Sequence, residues 1–241
     1  MTLERLAAAC ETDDLRGALA RVLERYESRV ALASSLSVED MVVLHELVEA
    51  ARGSGRSVPR VFFLDTGRMH EETYLLLDRA RERYDVSIEV FAPQAEAVQS
   101  LVRAHGAYGM RHSREQRQAC CSVRKLEPLG RALRELDAWI TGLRSEQSVT
   151  RAGVSVVEVD DAHGGIAKIN PLARWTSERV WEHARRHGVP THALHAQGYP
   201  SIGCEPCTRA VEAGEHPRAG RWWWEDEGHR ECGLHGTRGA G

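Results

Sequence analysis

Cysteine is the residue whose placement most narrows the chemistry of this chain. Of six in 241 residues, Cys120 and Cys121 are adjacent, Cys204 and Cys207 form C-E-P-C, and Cys10 and Cys232 stand apart. Four thiolates from two distant pairs make a ligand set for zinc or for an iron–sulfur cluster. Zinc pairs usually come as C-x2–4-C, so that both sulfurs reach one ion, whereas adjacent residues on a helix point about 100° apart. That divergence suits two corners of a cluster better than one ion, and it favours iron–sulfur. A redox C-x-x-C beside two unrelated buried thiols is a second reading, and a strained vicinal disulfide a third. Cys232 lies in "EDEGHRECGLHGTRGAG", a charged, glycine-rich stretch with little to bury a side chain, three residues before His235. A histidine alone there reads as a surface residue, but beside a thiol it can stabilise the thiolate. Cys10 has no partner in any pattern and is expected to pack as a small apolar residue.

Polar groups gather where strands should end. Ser34, Ser35 and Ser37 form a turn before Glu39 and Asp40, where hydroxyls and backbone N–H groups could cradle a phosphate or sulfate. The other reading is a serine-rich helix cap, with the two acids favoured by the helix dipole. Neither G-x-x-x-x-G-K-[ST] nor G-x-G-x-x-G is present, which argues against a P-loop NTPase and a Rossmann dinucleotide site. Asp65 and Thr66 in "LDTGR" end the next apolar run, and Asp65 could bond a ribose hydroxyl or cap its own turn. Lys125 follows Cys121 by four residues, while Arg218 and Arg221 lie in "HPRAGR", which taken alone reads as a solvated basic loop.

The elements that must position these residues follow from periodicity. Residues 2–27 carry helical spacing at Leu3, Leu6, Leu15, Leu19 and Leu23, in one or two helices. "RVALASS", "VPRVFFLDTG" and "VSIEVFAP" read as strands, followed in turn by helices in "MVVLHELVEAA", "MHEETYLLLDRARERY" and "QAEAVQSLVRAHG". The pattern loosens at "AYGMRHSREQRQACCSVRK", then resumes with a helix in "KLEPLGRALREL" and a strand in "DAWITGL". "VSVVEVDDAHGGIAKINPL" reads as a hairpin or two neighbouring strands, and "TSERVWEHARRHGV" as a capped helix. Such alternation predicts an α/β fold with a mainly parallel sheet flanked by helices. With no repeat or linker, one domain over 1–220 is expected, with a C-terminal appendage at 221–241.

Apolar residues make up 42% and charged residues 28%, with net charge −3. This is ordinary for a globular protein and a poor match to a nucleic-acid binder. No run approaches the ~18 apolar residues of a membrane span. The start "MTLERLAAACETDD" lacks a basic then apolar signal, so a cytoplasmic location is expected. In that reducing setting, patterned cysteines serve metals or catalysis.

Taken together, "SSLSVED", "LDTGR", "CCSVRK", "TGLRSEQS", "CEPCTRAVEAGEHPRAGRWWW" and "ECGLH" resemble the assimilatory adenylyl-sulfate reductases of the APS/PAPS reductase family, from about Arg29 onward. The cysteine pairs are similar to the adenosine 5′-phosphosulfate (APS) branch, not to the 3′-phosphorylated (PAPS) branch. The resemblance implies a PP-loop-type sheet (adenine nucleotide alpha hydrolase-like), one 4Fe–4S cluster on Cys120, Cys121, Cys204 and Cys207, and Cys232 as nucleophile on a mobile tail. It places Lys125, Arg144, Arg218, Arg221 and His235 around the phosphosulfate. Ser34, Ser35, Ser37, Asp65 and Thr66 fall around the adenosine and phosphate. Family members often carry glycine in the loop that here reads "SLSVED". The implied reaction is thiolate attack on sulfur, loss of AMP, and release of sulfite from an S-sulfocysteine by thioredoxin, in sulfate assimilation and cysteine biosynthesis. Rivals are a PAPS or dual-specificity reductase, an ATP pyrophosphatase-type sulfurtransferase, and a zinc-stapled interaction protein. Trp222–Trp224 could pack the base of the tail or form part of a thioredoxin-docking surface, with packing the expected role, and homo-oligomerisation is left open.

Overall fold

The computed structural model describes residues 2–12, 14–148, 151 and 153–225. Its centre is a six-stranded sheet in the order β3-β2-β1-β4-β6-β5. The strands are β1 (Val30–Ala33), β2 (Arg60–Leu64), β3 (Ile88–Phe91), β4 (Ala138–Ile140), β5 (Val157–Asp160) and β6 (Ile166–Ile169). β1 runs parallel to both β2 and β4, and β4 parallel to β6. The β1 sequence "VALA" and the β4 sequence "AWI" are apolar on both faces because both faces are covered, as parallel strands require. β5 is the exception, antiparallel to β6. The "DAHGGI" link turns the chain through Gly164 and Gly165 at φ +82° and +77°, a conformation glycine adopts without steric cost. The expected mainly parallel sheet and its terminal hairpin are both present.

The helices are α1 (Leu3–Cys10), α2 (Leu15–Tyr26), α3 (Val38–Gly53), α4 (Glu71–Tyr84), α5 (Ala95–His105), α6 (Arg114–Cys121), α7 (Glu127–Leu133) and α8 (Ser177–Arg186). The N-terminal pattern resolves into two helices because Asp14 caps α2, its carboxylate accepting the Gly17 N–H at 2.9 Å. Cys10 packs as expected: it is buried, and burial pushes its thiol up to about 11. α6 is a departure from the sequence reading. The polar stretch before Cys120 is helical, capped by Ser113, and runs into a π-helical turn at Ser122–Leu126 and then α7. Its charged surface hid it from a hydrophobic-periodicity reading. Among the described residues no helix is long and apolar enough to cross a membrane.

The chain divides into two compact units that alternate along the sequence. Among the described residues, one comprises 2–12, 14–63, 73–89, 135–148, 151 and 153–192; the other comprises 64–72, 90–134 and 193–225. The first holds β1, β4, β5, β6 and most of β2, with α1, α2, α3 and α8. The second holds α5, α6, α7 and residues 193–225.

In the sheet order, β2 and β3 lie to one side of β1 while β4 lies on the other. The reversal between β1 and β4 is the topological switch point, where open α/β sheets bind ligands beyond their carboxyl ends. There the backbone of Gly142 approaches α3 so closely that a Cβ would lie 2.5 Å from Asp40 Oδ1 and 2.8 Å from the Asp40 nitrogen. Gly142→Ala should therefore lower stability by about 1–3 kcal/mol through overpacking. Urea unfolding compared with Gly130→Ala, a position with nothing near its missing Cβ, would check this; equal midpoints would refute the contact.

Candidate functional site

In the first unit the serine turn is held by two buried acids. The Asp40 carboxylate accepts Ser35 N–H at 2.7 Å and Ser35 Oγ–H at 2.6 Å, and its second oxygen accepts Gly142 N–H at 2.9 Å. One carboxylate thus ties the end of β1 to the end of β4. Burial pushes this acid above its ordinary range, while the Ser35 hydrogen bonds pull it back in part. Ser34 Oγ accepts Leu36 N–H at 3.2 Å, and Ser37 Oγ caps α3 by accepting Asp40 N–H at 3.2 Å. Leu36 takes φ +61° with its side chain fully buried, a strained turn held by packing where glycine would be relaxed. Glu39 accepts from Arg144 Nε and from Gln147, each at 3.0 Å, and Arg144 also donates to the Trp175 carbonyl at 3.2 Å. Arg144 is therefore a buried clamp on Glu39. The cap reading of the serine turn is realised, at a position that also faces the switch point.

Asp65 and Thr66 belong to the second unit. Asp65 Oδ1 accepts Gly67 N–H at 2.7 Å, closing an Asx-type turn. Thr66 Oγ1 lies 3.2 Å from Cys204 Sγ, and its carbonyl accepts Arg124 Nη1 at 2.6 Å.

The second unit also brings the two cysteine pairs together. Cys120, Cys121, Cys204 and Cys207 line one cavity with Lys125, Arg68, Arg117, Arg124 and Arg221. Cys120 and Cys121 close α6 just ahead of the π-helical turn, a local widening common at functional sites. Cys204 and Cys207 bracket a single 3-10 turn, with Cys207 N–H donating to the Cys204 carbonyl at 3.0 Å. Thr208 Oγ also donates to that carbonyl, at 2.9 Å. Burial pushes Cys207 up to about 11, and the nearby Cys204 and Cys120 push the same way against Lys125 and Arg221. Cys120 is raised chiefly by burial and pulled back by Arg124.

Among the described residues the cavity offers four thiol sulfurs, with the Met110 thioether beside them, and no imidazole or carboxylate; its charged lining is all cationic. An all-thiolate set ringed by positive charge fits a 4Fe–4S cluster, whose sulfurs take hydrogen bonds and whose net charge is negative. The same four cysteines could also hold one zinc ion.

Arg221 is buried over the face of Trp222, 4.7 Å from its centroid, and donates to the Ile202 carbonyl at 3.1 Å. Gly203 makes room for it: a Cβ there would meet the guanidinium at 2.3 Å. Arg218, in the preceding turn, is half-exposed and does not line the cavity. Trp222 is buried as expected and donates its backbone N–H to the Cys207 carbonyl at 3.1 Å. Cys232 and His235 lie outside the described residues.

Sequence reasoning missed Arg68, Arg117 and Arg124. Arg117 precedes Cys121 by four residues and Arg124 follows Cys120 by four, so the same-face spacing of a helix carried the signal once that stretch was read as helical. Arg117 is almost fully buried, pairs with Glu225 at 2.5 Å and lies 4.9 Å from the Trp222 centroid.

Residues 29–210 match the model of the phosphoadenosine phosphosulfate reductase domain. Over 95% of its length the chain is 50% identical to an adenosine 5′-phosphosulfate reductase of Burkholderia cepacia, covering 89% of that protein. It is 48% identical to one of Allochromatium vinosum, over 96% of this chain and 91% of that protein. Among solved structures, a phosphoadenylyl-sulfate reductase from Candida auris is similar in fold. Its TM-score is 0.70 at 22% identity, over 87% of this chain and 96% of that one. A Candida glabrata FMN adenylyltransferase is also similar in fold, with a TM-score of 0.57 at 13% identity, over 96% of this chain and 84% of that one.

Replacing Arg117 with methionine would leave the Glu225 carboxylate buried without this partner, and should cost about 3–5 kcal/mol. The double variant Arg117→Met/Glu225→Leu should recover most of that loss. Chemical denaturation of the three proteins reads the difference, and a double variant no more stable than the single one would refute the pairing.

Proposed function

Because the chain belongs to the APS/PAPS reductase family, we propose that it reduces adenosine 5′-phosphosulfate to sulfite and AMP in sulfate assimilation, with thioredoxin as electron donor. The observation that carries this reading is the shared cavity of two cysteine pairs in a ring of cations. It matches what an enzyme of dianionic sulfonucleotides needs beside its nucleophile.

In this reading the Cys232 thiolate attacks the sulfur of the phosphosulfate. An S–S bond forms, the sulfur–oxygen bond to phosphate breaks, and AMP leaves with the electron pair. A thiolate of thioredoxin then attacks the Cys232 sulfur, sulfite departs with the electrons of the S–S bond, and a mixed disulfide remains. The second thioredoxin thiol resolves it, so thiols supply both electrons. An anionic nucleophile meeting an anionic substrate needs neutralising charge. Lys125, Arg218 and Arg221 are suited to it, the arginines through forked contact with oxyanions. Arg144, clamped on Glu39, acts by holding the turn that carries Ser34, Ser35 and Ser37 against the nucleotide, with the α3 N-terminus favouring its phosphate. Asp65 and Thr66 serve the adenosine side, and His235 stabilises the Cys232 thiolate.

Cys120, Cys121, Cys204 and Cys207 would hold one 4Fe–4S cluster, which when bound supplies a fixed buried charge and not electrons. Lys125, which lines the same cavity, is placed by it for the substrate. The 1–220 segment binds the nucleotide, and 221–241 brings Cys232 to the sulfur and then presents it to the partner protein. A cytoplasmic location fits this reducing chemistry.

Mass spectrometry after mixing with APS and no reductant should map a sulfonate adduct to Cys232, and Cys232→Ser should abolish sulfite release. Sulfite production that survives Cys232→Ser would sink the reading. Lys125→Ala at unchanged iron content should lower turnover by about 10²–10³-fold. Competition between APS and PAPS in the same assay should favour APS, and preference for PAPS would move the chain to the other branch of the family.

A further inference from the structure

A second cluster of ligand-type side chains lies in the first unit, on the two helices α3 and α8. α3 carries His45 and Glu46, both buried, and α8 carries His183, with His187 as its C-cap. His183 and His187 stand four residues apart, the spacing that places two imidazoles on one face of a helix. Their ring centroids are 4.3 Å apart, and the His45 ring is 5.2 Å from that of His187. The donor atoms of His45, Glu46 and His187 all lie within 4.8 Å of one another.

His45 is what makes the cluster unusual. It is 8% exposed, yet neither ring nitrogen has a hydrogen-bond partner among the described residues. Its Nε2 lies 3.7 Å from Glu46 Oε1, close but outside hydrogen-bond range. A buried nitrogen lone pair left without a donor is costly, and a Lewis acid removes that cost.

Glu46 is already oriented for such a role. Arg16 Nε meets Oε2 at 2.8 Å, and His183 Nε2 meets Oε1 at 2.9 Å. Outer partners of this kind fix a ligating carboxylate in metal centres. Glu46 and His187 line a cavity together with Arg16, Trp175, Glu182 and His183, which gives an ion a path to these two ligands, while His45 does not line it.

We propose that His45, Glu46 and His187 form a binding site for one divalent late first-row metal ion, of which zinc is the best match, with His183 and Arg16 positioning the carboxylate. Two imidazole nitrogens and one carboxylate oxygen are a borderline-soft donor set of the kind zinc takes. This site is separate from the four-cysteine cavity and does not rest on the reading of that cavity.

The test is a titration of the intact protein, its iron content unchanged, with Zn²⁺ against a chromophoric chelator, and in parallel with Co²⁺. The wild type should bind one equivalent, raise its melting temperature with Zn²⁺, and give Co²⁺ d–d bands without thiolate charge transfer. His187→Ala, at a half-exposed position, should lose both the equivalent and the temperature rise. His183→Gln should weaken binding by about 10–100-fold. Unchanged affinity in folded His187→Ala, a wild type that takes up no Zn²⁺, or a Co²⁺ spectrum of thiolate ligation alone would each overturn the site.

Discussion

Sulfur gathered away from water can carry negative charge only where positive charge surrounds it, and the second unit is built around that constraint. Cys207 illustrates it: burial and neighbouring sulfurs push its thiol up, while Lys125 and Arg221 work in the opposite direction. The cations are themselves secured. Arg124 is bonded to the Thr66 carbonyl, Arg117 to Glu225, and Arg221 to the Ile202 carbonyl over a tryptophan face. Fixed guanidinium groups act as preorganised charge, which costs no rearrangement when anionic sulfur forms beside them. The backbone follows the same demand. The π-helical turn follows Cys121 directly, a short turn spans C-E-P-C, and the missing Cβ of Gly203 makes room for the Arg221 guanidinium.

The first unit solves a different electrostatic problem with acids. Asp40 and Glu39, at the start of α3, could have served only the helix dipole. They are instead turned inward as acceptors for Ser35, Gly142, Arg144 and Gln147. These bonds fix the turn after β1 to the end of β4, where the strand order reverses. Most of the serine hydroxyl capacity is spent on the turn itself, so a ligand at this end of the sheet would be met chiefly by backbone and helix dipole. Leu36, held at positive φ by its own burial, shows that packing can substitute for the glycine the loop lacks.

Deep burial of α3 has a further consequence. It leaves Glu46 to be met by Arg16 of α2 and His183 of α8, and leaves both His45 ring nitrogens unmet among the described residues. A helix used this way turns titratable side chains into potential ligands, because each unmet lone pair is costly in an apolar setting.

What the sequence determined by itself was local. Alternating apolar runs and helical periods are written in consecutive residues, so the α/β class, the mainly parallel sheet, the β5–β6 hairpin and the packing of Cys10 and Trp222 were all legible. The cysteine pairs were legible too, as spacing and residue type. Tertiary structure decided the rest, because the contacts that make the sites join distant positions. Arg117 and Glu225 are 108 residues apart, Arg144 and Glu39 are 105 apart, and Gly142 and Asp40 are 102 apart. No periodicity reports such a pair. The strand order that creates a switch point, the helix hidden in the polar run before Cys120, and the histidines drawn together on α3 and α8 depend on which surfaces meet when the chain packs.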